Sequence, residues 1–439
     1  MHSRTRRLLT GATLMLLAAA CAAGLGASTA AAASQRTTAT VKKISACGYV
    51  AQKAGTYELT QSVTDSGSGP CITIAADKVT LYLDSHTITG TGTDACIFVA
   101  GSSGMLVKDA VLGWKMPKPK AKSATLGKPA KLTNCEVGVE AALTSGMTVD
   151  DLTTSVSSSS GAGILGEEAT GADISHITAQ MHAGNNAPGI VLEGGADNVV
   201  RQSTVNYDGT QYGFAVENET GDTFMLDTVN DPYSSGGSAG TGFFDTHSSR
   251  NTWTHCSSSR HENGFALVPQ EYGPVTVTYD TATGSSAHPI GAGFSIIGAF
   301  QYADSASPFH TLVSHNKTSG FQVGFDDENG GIPDTPVAEK WIDNTAYNYS
   351  GAGFVINYPT DYVMTGNIAD ANTSGKKYTS GDSYGFVLIN ASAPYAIAKF
   401  ANNQAYDSEY GFYSAAQGVG GKGNIAKRNK INSVGVEIS

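Results

Sequence analysis

Short runs of alternating apolar and polar residues, separated by bends, recur along most of the chain. Many of these runs open with a glycine followed by Ile, Val or Phe, as in Gly189-Ile190-Val191-Leu192 and Gly353-Phe354-Val355-Ile356. A period of two places alternate side chains on opposite faces of a β-strand, so one face of each strand is buried. No long segment keeps the period of an amphipathic helix, and the pattern therefore predicts an all-β chain.

The strand-opening glycines recur at a nearly constant interval. They occupy positions 138, 163, 189, 213, 242, 264, 293, 320, 353, 385, 411 and 435, with steps of 22 to 33 residues. Periods of about 20 to 50 residues are typical of stacked repeats. The spacing therefore predicts a parallel β-solenoid of about 14 coils, in which the first and third residues after each glycine face inward. Asparagines before the later glycines favour left-handed bends: Asn316, Asn344, Asn367 and Asn403.

The first 33 residues have the composition of a secretory signal peptide. A basic start with Arg4, Arg6 and Arg7 precedes the apolar run Leu8–Ala20, and small residues follow. The alternative is a lipoprotein signal that anchors the chain at Cys21. Either interpretation predicts an extracellular protein, and no later stretch is long and apolar enough to predict a membrane span.

The remaining chain divides into two predicted parts. Residues 34–70 are expected to form an N-terminal cap, because the first coil of a solenoid otherwise exposes an open sheet edge. Residues 71–439 are expected to form the solenoid itself. A Lys- and Pro-rich insertion at 115–134 is interpreted as a solvated loop, or as a basic arm that meets an anionic chain or a neighbouring subunit.

Charge and cysteine content narrow the possible partners. The formal net charge is −11, and it is −14 once the three arginines of the signal are removed. Such an acidic chain is a poor partner for nucleic acid or an anionic membrane. Five cysteines follow the signal, and their order suggests the disulfides Cys47–Cys71 and Cys96–Cys135, with Cys256 as a buried, unpaired residue.

The entry to the solenoid resembles a known superfamily. Its segments are Cys47-Gly48, Gly55-Thr56-Tyr57 and the run from Val79-Thr80-Leu81 to Gly90. They resemble the start of secreted right-handed parallel β-helix proteins of the pectate-lyase-like superfamily, and the resemblance covers residues 41–439. It implies a right-handed parallel β-helix and a polysaccharide partner. Because that superfamily contains lyases, hydrolases, epimerases and adhesins, the fold alone does not give the activity.

Three glutamates share the fourth position after their glycines. Coils that stack in register would place Glu167, Glu193 and Glu217 about 5 Å apart on the outer surface, with Thr246 next in the series. Carboxylates at that spacing repel one another unless a cation or a raised pKa relieves them. The column therefore predicts a Ca²⁺ site or a row of catalytic carboxylates, and the alternative is a solvated acidic stripe.

The coil that begins at Gly242 breaks the pattern with two consecutive phenylalanines. By simple counting, Asp245 faces inward, where a lone carboxylate is costly. If Phe243-Phe244 marks a one-residue bulge, Asp245 and His247 both face outward beside Glu217. The sequence allows either orientation.

This coil resembles the site of mannuronan C5-epimerases, where a Gly-Phe-Asp-x-His motif precedes an Arg-His pair. Here Thr241 and Thr246 replace the Tyr and Pro of that motif, and Phe244 is extra. The resemblance implies that Asp245 and His247 handle protons and that Arg260 holds a substrate carboxylate. His261 and Glu217 complete the predicted catalytic group, and the predicted substrate-binding residues are Glu193, Tyr212 and Arg250.

These features predict a protein that acts on an extracellular polysaccharide, as a uronate lyase or C5-epimerase. One alternative is a glycoside hydrolase that uses Glu193, Glu217 and Asp245. The other is a non-catalytic, polysaccharide-binding or cell-surface solenoid. The C-terminal third is rich in tyrosine, and several of these rings are expected to face outward and form a sugar-binding surface or a homo-oligomer interface.

Overall fold

Strands and bends account for all of the regular structure in the part of the chain that the computed structural model describes. The described residues are 40–101, 107–108, 110–113, 129–156, 158, 160–181, 187–206, 212–231, 238–269, 275–285, 289–296, 310–327, 338–357, 362–371, 383–389, 397, 399–415, 419 and 421–438. The predicted signal peptide and most of the predicted insertion lie outside them. No helix in the described ranges could cross a membrane.

Three long sheets run side by side, and every strand pair described in them is parallel. Sheet A has 14 strands: Lys42–Ile44, Gly55–Leu59, Val79–Tyr82, Val111–Leu112, Thr148–Asp150, Asp173–Ser175, Val199–Arg201, Thr223–Met225, Thr252–Thr254, Thr276–Thr278, His310–Ser314, Ala338–Ile342, Val363–Thr365 and Lys399–Ala401. Sheet B has 15 strands: Tyr49–Ala51, Ile72–Ile74, Ile97–Ala100, Val137–Ala142, Ala162–Glu167, Ile190–Glu193, Tyr212–Glu217, Ser238–Ser248, His261–Pro269, Ala292–Ile296, Val323–Asp327, Ala352–Asn357, Tyr384–Ile389, Tyr410–Ser414 and Ile431–Val434. Sheet C has 14 strands: Val63–Thr64, Thr87–Thr89, Ala130–Cys135, Leu152–Val156, Thr178–Met181, Thr204–Asn206, Thr228–Asn230, Ser257–Ser259, Thr281–Thr283, Lys317–Ser319, Thr345–Tyr347, Ile368–Asp370, Gln404–Tyr406 and Ile425–Lys427. A small pair, Val107–Lys108 with Thr144–Ser145, lies beside them.

Each coil contributes one strand to sheet B, then one to sheet A and one to sheet C. We call the three corners the first bend (B to A), the second bend (A to C) and the third bend (C to B). Strands pair with their equivalents in the next coil rather than with their sequence neighbours. The predicted parallel β-helix is confirmed. The segment predicted as a cap also supplies the first strand of each sheet, because Lys42 pairs with Tyr57 and Tyr49 pairs with Ile72.

A column of phenylalanine rings fills the centre of the solenoid behind sheet B. Each ring is the residue directly after a strand-opening glycine, so this part of the inward pattern is confirmed. Neighbouring rings lie 4.6 to 5.0 Å apart, and most pairs are nearly parallel, in the order Phe214, Phe243, Phe265, Phe294, Phe325, Phe354, Phe386 and Phe412. Offset stacking of buried rings adds to the free energy gained from their burial. The column therefore ties successive coils together.

The strand-opening glycines are required by close packing at the third bend. A Cβ at Gly213 would lie 2.3 Å from Cγ1 of Val229, which projects from sheet C.

The strand register corrects two of the predicted positions of the strand-opening glycines. Phe325 pairs with Phe294, so the equivalent glycine is Gly324 and not Gly320, and Val323 faces outward. In the last coil, Tyr410 pairs with Ile431 and Tyr413 with Val434, which excludes Gly435 as an equivalent.

The second bend contains a buried column of hydrogen-bonded side chains. Asn316, Asn344 and Asn367 are fully buried, and each Oδ1 accepts the backbone N–H of the equivalent residue in the preceding coil. The column continues through Asp227, Cys256, Asp280, Asn403 and Asn424. The prediction that these asparagines adopt left-handed backbone is wrong. That conformation belongs to the residue before each of them, such as His315 with φ 59°.

Both predicted disulfides are formed, and both lie near the start of the solenoid. The Cα atoms of Cys47 and Cys71 are 4.3 Å apart, and those of Cys96 and Cys135 are 5.5 Å apart. Cys256 is unpaired and buried, as predicted. Disulfides persist in oxidising compartments, so these two bonds indicate an extracellular environment.

Candidate functional site

The outer face of sheet B carries the predicted glutamate column. Glu167 pairs with Glu193, and Glu193 pairs with Glu217, while Thr246 follows in register. All three glutamates are exposed. Partial burial of the Glu193 carboxyl raises its pKa, and the negative charges of Glu217 and Glu167 raise that pKa further. The central carboxyl therefore holds its proton more readily than an isolated glutamate does.

An aromatic pair lies beside this column on the same face. Tyr212 and Phe244 come from adjacent coils, and their rings are stacked with centroids 4.2 Å apart and an interplanar angle of 11°. Phe244 lies two residues before Thr246, which pairs with Glu217. At ~3.3 Å per residue, the backbone of Phe244 is about 7 Å along the strand from the level of the glutamates, and that of Tyr212, five residues before Glu217, is about 16 Å from it. An aromatic surface next to carboxyl groups is an arrangement that suits a sugar ring and its glycosidic bond.

The doubled phenylalanine does not form a bulge. Phe243 pairs with Phe214, and Asp245 pairs with Val216, so the register is continuous through these positions. Phe244 consequently faces outward, and Asp245 is 1% exposed inside the solenoid. The bulge hypothesis, which placed Asp245 on the outer surface with His247, is wrong. The pairing is irregular only on either side of these positions, between Ser238 and Thr241 and between Thr246 and Ser248.

Asp245 faces inward because a buried indole needs an acceptor. Trp253 Nε1 donates to Asp245 Oδ2 at 3.2 Å, and Asn251 Nδ2 donates to the same oxygen at 3.0 Å. Burial raises the pKa of Asp245. The other buried tryptophan of the described residues also meets a carboxyl group, because Trp341 Nε1 donates to Glu339 at 2.8 Å. Both pairs satisfy an indole N–H that would otherwise be buried without a partner.

The other predicted catalytic residues lie apart from one another. His247 is exposed in the first bend with φ 55°, where its Nδ1 lies 2.9 Å from Thr246 Oγ1. Arg250 is exposed three residues later in that bend. Arg260 is exposed in the third bend, at the opposite end of the strand His261–Pro269. The eight residues between Arg260 and Val268, the partner of Thr246, span about 26 Å at ~3.3 Å each.

His261 is buried at the start of the strand His261–Pro269, next to the third bend. It is 2% exposed, and its Nδ1 lies 3.1 Å from Ser258 Oγ. Burial lowers the pKa of His261 to about 4. The imidazole is therefore neutral at ordinary pH and lies away from the outer face of sheet B.

The structure thus places Glu193 opposite Glu217 in adjacent coils, with Tyr212 on the same face at the other end of the strand Tyr212–Glu217. Asp245, Arg260 and His261 lie apart from them. The partner of Tyr212 in the aromatic pair, Phe244, was missed by sequence reasoning. The alternation counted from Gly242 predicts that Phe244 faces outward. Only the bulge hypothesis placed it inside the solenoid.

Among the described residues, no group of three His, Cys, Asp or Glu side chains converges as a metal ion requires. The glutamates form a column along the solenoid instead.

The C-terminal tyrosines divide between the two faces of the sheets. Tyr384, Tyr410 and Tyr413 lie on the outer face of sheet B, where Tyr384 and Tyr410 are stacked at 5.0 Å. Tyr349 and Tyr362 are instead buried. The tyrosines at 302, 358, 378 and 395 lie outside the described residues.

A second group of carboxyls is buried at the first bend, beneath the glutamate column. Glu219 is 1% exposed, and it accepts the backbone N–H of Gly195 at 2.7 Å and Asn198 Nδ2 at 3.2 Å. Burial, and then the charge of the neighbouring Asp222, raise the pKa of Glu219 to about 9. Glu219 and Asp222 share a proton that the unfolded chain would release near pH 4.5.

We expect the protein to lose stability as the pH rises from about 5 to 9, because the folded chain binds a proton at Glu219 that the unfolded chain lacks. The free energy of unfolding should fall by up to about 1.4 kcal/mol per pH unit from this group. Urea denaturation at a series of pH values measures the slope. Glu219→Gln should flatten it, and exposed Glu168→Gln should not. Equal slopes for wild type and Glu219→Gln would contradict the assignment.

Comparisons with known proteins give structural similarity alone. No protein-family profile matches the chain. No curated protein matches it either. A double mutant of the tailspike protein of E. coli bacteriophage HK620 aligns with 92% of this chain and 60% of its own, with a TM-score of 0.41 and 14% identity. Our chain thus spans less than two thirds of that tailspike. The same tailspike has been crystallised in complex with a pentasaccharide.

Two enzymes give comparable alignments. The A-module of the mannuronan C-5 epimerase AlgE6 of Azotobacter vinelandii aligns with 85% of this chain and 89% of its own, with a TM-score of 0.41 and 12% identity. The DFA-IIIase of Arthrobacter chlorophenolicus A6, without its lid, aligns over 84% of both chains, with a TM-score of 0.36 and 10% identity. The similarity lies in the course of the backbone, and the site has to be interpreted from its own residues.

Proposed function

We propose that the protein binds and hydrolyses a neutral extracellular polysaccharide on the outer face of sheet B. One observation carries the proposal: the register places Glu193 directly opposite Glu217 in adjacent coils, beside the stacked Tyr212 and Phe244. Neighbouring strands are about 4.8 Å apart. Retaining glycoside hydrolases hold their two carboxyl groups about 5 to 5.5 Å apart, a separation within reach of two glutamate side chains on neighbouring strands.

The two carboxyls would take different roles. Glu193 has the raised pKa, so it would donate its proton to the glycosidic oxygen as the bond to the leaving sugar breaks. Glu217, nearer the aromatic pair, would attack the anomeric carbon and form a glycosyl ester. Water, deprotonated by Glu193, would then displace Glu217 and restore both groups. Tyr212 and Phe244 would hold the sugar whose anomeric carbon reacts.

The charge of this face favours an uncharged substrate. Three exposed glutamates follow one another along the solenoid, and Glu140 lies in the adjoining coil with a pKa raised by burial and by Glu167. A polyuronate would bring its own carboxylates against this row and would be repelled. A neutral glycan carries no such penalty.

The uronate lyase or C5-epimerase predicted from the sequence is the alternative reaction. It needs a base, an acid and a cation that holds the substrate carboxylate within one groove. The inward position of Asp245 and the distance of about 26 Å between the strand positions of His247 and Arg260 argue against that assembly. Hydrolysis by Glu193 and Glu217 needs neither residue. A Ca²⁺ ion along the glutamate column would favour an anionic substrate instead.

A panel of substrates tests the proposal. The secreted protein is incubated with neutral glycans, such as β-glucans, xylan, chitosaccharides and fructans, and with alginate and pectate, each with Ca²⁺ or with EDTA. New reducing ends from a neutral glycan, independent of Ca²⁺, are expected. NMR of the first product should show the anomeric configuration retained. Unsaturated products from a uronan would support the lyase, and binding without any product would support a non-catalytic role.

A further inference from the structure

The second bend carries an exposed row of large side chains in left-handed backbone. Leu226, His255, Tyr279 and His315 occupy equivalent positions in four successive coils, with φ between 57° and 62°. We call these four residues the bend ridge. Among the other coils, Asp151, Asn402 and Gly366 are residues that suit left-handed backbone at this position, while His176 and Gln202 are larger side chains there. Bulky residues with positive φ are uncommon, and strain of this kind is retained at functional sites.

The ridge is ordered by contacts between its own members. The ring of Tyr279 stacks on His255 at 5.1 Å and on His315 at 4.7 Å. Thr278 Oγ1 donates to Thr254 Oγ1, which lies 2.9 Å from His255 Nδ1. These contacts stack the three rings against one another along the bend.

The ridge is also unusually exposed for its composition. Tyr279 is 51% exposed and Leu226 is 47% exposed, the two highest values for large hydrophobic side chains among the described residues. A row of exposed hydrophobic residues marks an interaction surface more often than single ones do. The strain and the exposure therefore coincide at the same positions.

In the coils of Leu226, His255 and Tyr279, the strands on both sides of the ridge are rich in hydroxyl and amide groups and carry no outward charge, whereas the coil of His315 carries the exposed Lys317. Their outward residues in the three coils of Leu226, His255 and Tyr279 are, in sheet A, Thr223, Met225, Thr252, Thr254, Thr276 and Thr278, and in sheet C, Thr228, Asn230, Ser257, Ser259, Thr281 and Thr283. This uncharged area is notable on a chain with a net charge of −11. Rows of hydroxyls beside amphipathic rings fit a partner that itself presents hydroxyls and apolar ring faces.

We propose that the bend ridge and its flanking hydroxyl columns bind a neutral polysaccharide at a second site. This surface lies at the corner between sheets A and C, whereas the proposed hydrolytic site lies on sheet B. The ligand class is the same as in the proposed function, and the second site would hold the polymer while another stretch of it, or another chain, reaches sheet B.

Binding to insoluble polymers tests the ridge apart from catalysis. Glu217→Gln protein is mixed with cellulose, chitin, curdlan and starch granules, and the free protein is measured after sedimentation. Adding Tyr279→Asn should weaken binding to the retained polymer about tenfold, as expected for an aromatic contact. Because Asn suits left-handed backbone, the same change should keep or raise the melting temperature. Loss of binding without loss of stability is the expected signature.

Gln202→Asn is the matched control, because Gln202 occupies the same bend one coil before Leu226, with φ 52°. It should bind like the parent protein. The proposal is overturned if the parent sediments with none of the four polymers, if Tyr279→Asn binds normally, or if Gln202→Asn is weakened equally. Cleavage of short soluble oligosaccharides by protein with Glu217 intact reports on the sheet B site separately from the ridge. Tyr279→Asn should leave this cleavage rate unchanged even if the ridge is functional.

Discussion

Glu217→Gln is expected to lower kcat on the cleaved polysaccharide by about 10²- to 10⁴-fold, because the amide can no longer form the glycosyl ester. KM should change little, since the substrate is held mainly by the aromatic pair. Glu193→Gln should reduce kcat by a similar factor on natural polymers. On an aryl glycoside its effect should be smaller, because that leaving group needs little protonation. Initial rates from reducing ends and from the released phenol measure both effects.

Glu167→Gln is the matched control for these variants. It removes a carboxyl from the same column, at the same position after its glycine, on the side of Glu193 away from the aromatic pair. It should keep the rate within a few-fold of wild type and shift the acid–base profile of Glu193, whose pKa Glu167 helps to raise. Azide added to Glu217→Ala should restore turnover and give a product of inverted configuration. Full activity of Glu217→Gln would show that the site lies elsewhere.

Phe294→Ala is expected to destabilise the protein by about 3 to 5 kcal/mol, the range for removing a buried ring. Phe294 is fully buried and stacks on Phe265 at 4.7 Å and on Phe325 at 5.0 Å, so the variant opens a cavity between two coils. Urea denaturation gives the free energy of unfolding. Hydrogen exchange should show that the loss is concentrated in the coils around Phe294, because each repeat contacts only its neighbours.

Two further variants separate packing from a general effect of mutation. Phe294→Leu should recover part of the lost stability by filling part of the cavity. Val355→Ala, which shortens an outward side chain on sheet B, should cost no more than about 0.5 kcal/mol. If Phe294→Ala and Val355→Ala cost the same, the ring column does not hold the coils together.

The repeating pattern was enough to predict much of the fold. Consecutive coils pair in register, so residues at equal distances from equivalent glycines become neighbours. This is why the glutamate column Glu167–Glu193–Glu217 could be predicted without a structure. The two disulfides followed from cysteine order for a similar reason: each joins residues in neighbouring coils, 24 and 39 residues apart along the chain, the second interval being lengthened by the insertion.

The pattern was less reliable where a glycine had a different structural role. Gly320 has φ 78° and lies in the third bend, whereas Gly324 opens the strand. Both precede apolar residues, and the sequence does not show which one meets the side chain from sheet C. The same difficulty affected the asparagines of the second bend. Asn is typical both of left-handed bends and of buried hydrogen-bonded columns, and only the packing assigns each residue to one of these roles.

The sequence by itself thus determined the parallel β-helix, its disulfides and the column of outward glutamates, because these depend on periodicity alone. Tertiary structure decided which face Asp245 occupies, since its orientation depends on the indole of Trp253 in another sheet. It also separated Arg260 from His247 and brought Leu226, His255 and Tyr279 into one exposed row. These features depend on contacts between different sheets or on the conformation of the bends. The spacing of hydrophobic residues along the chain predicts neither of these.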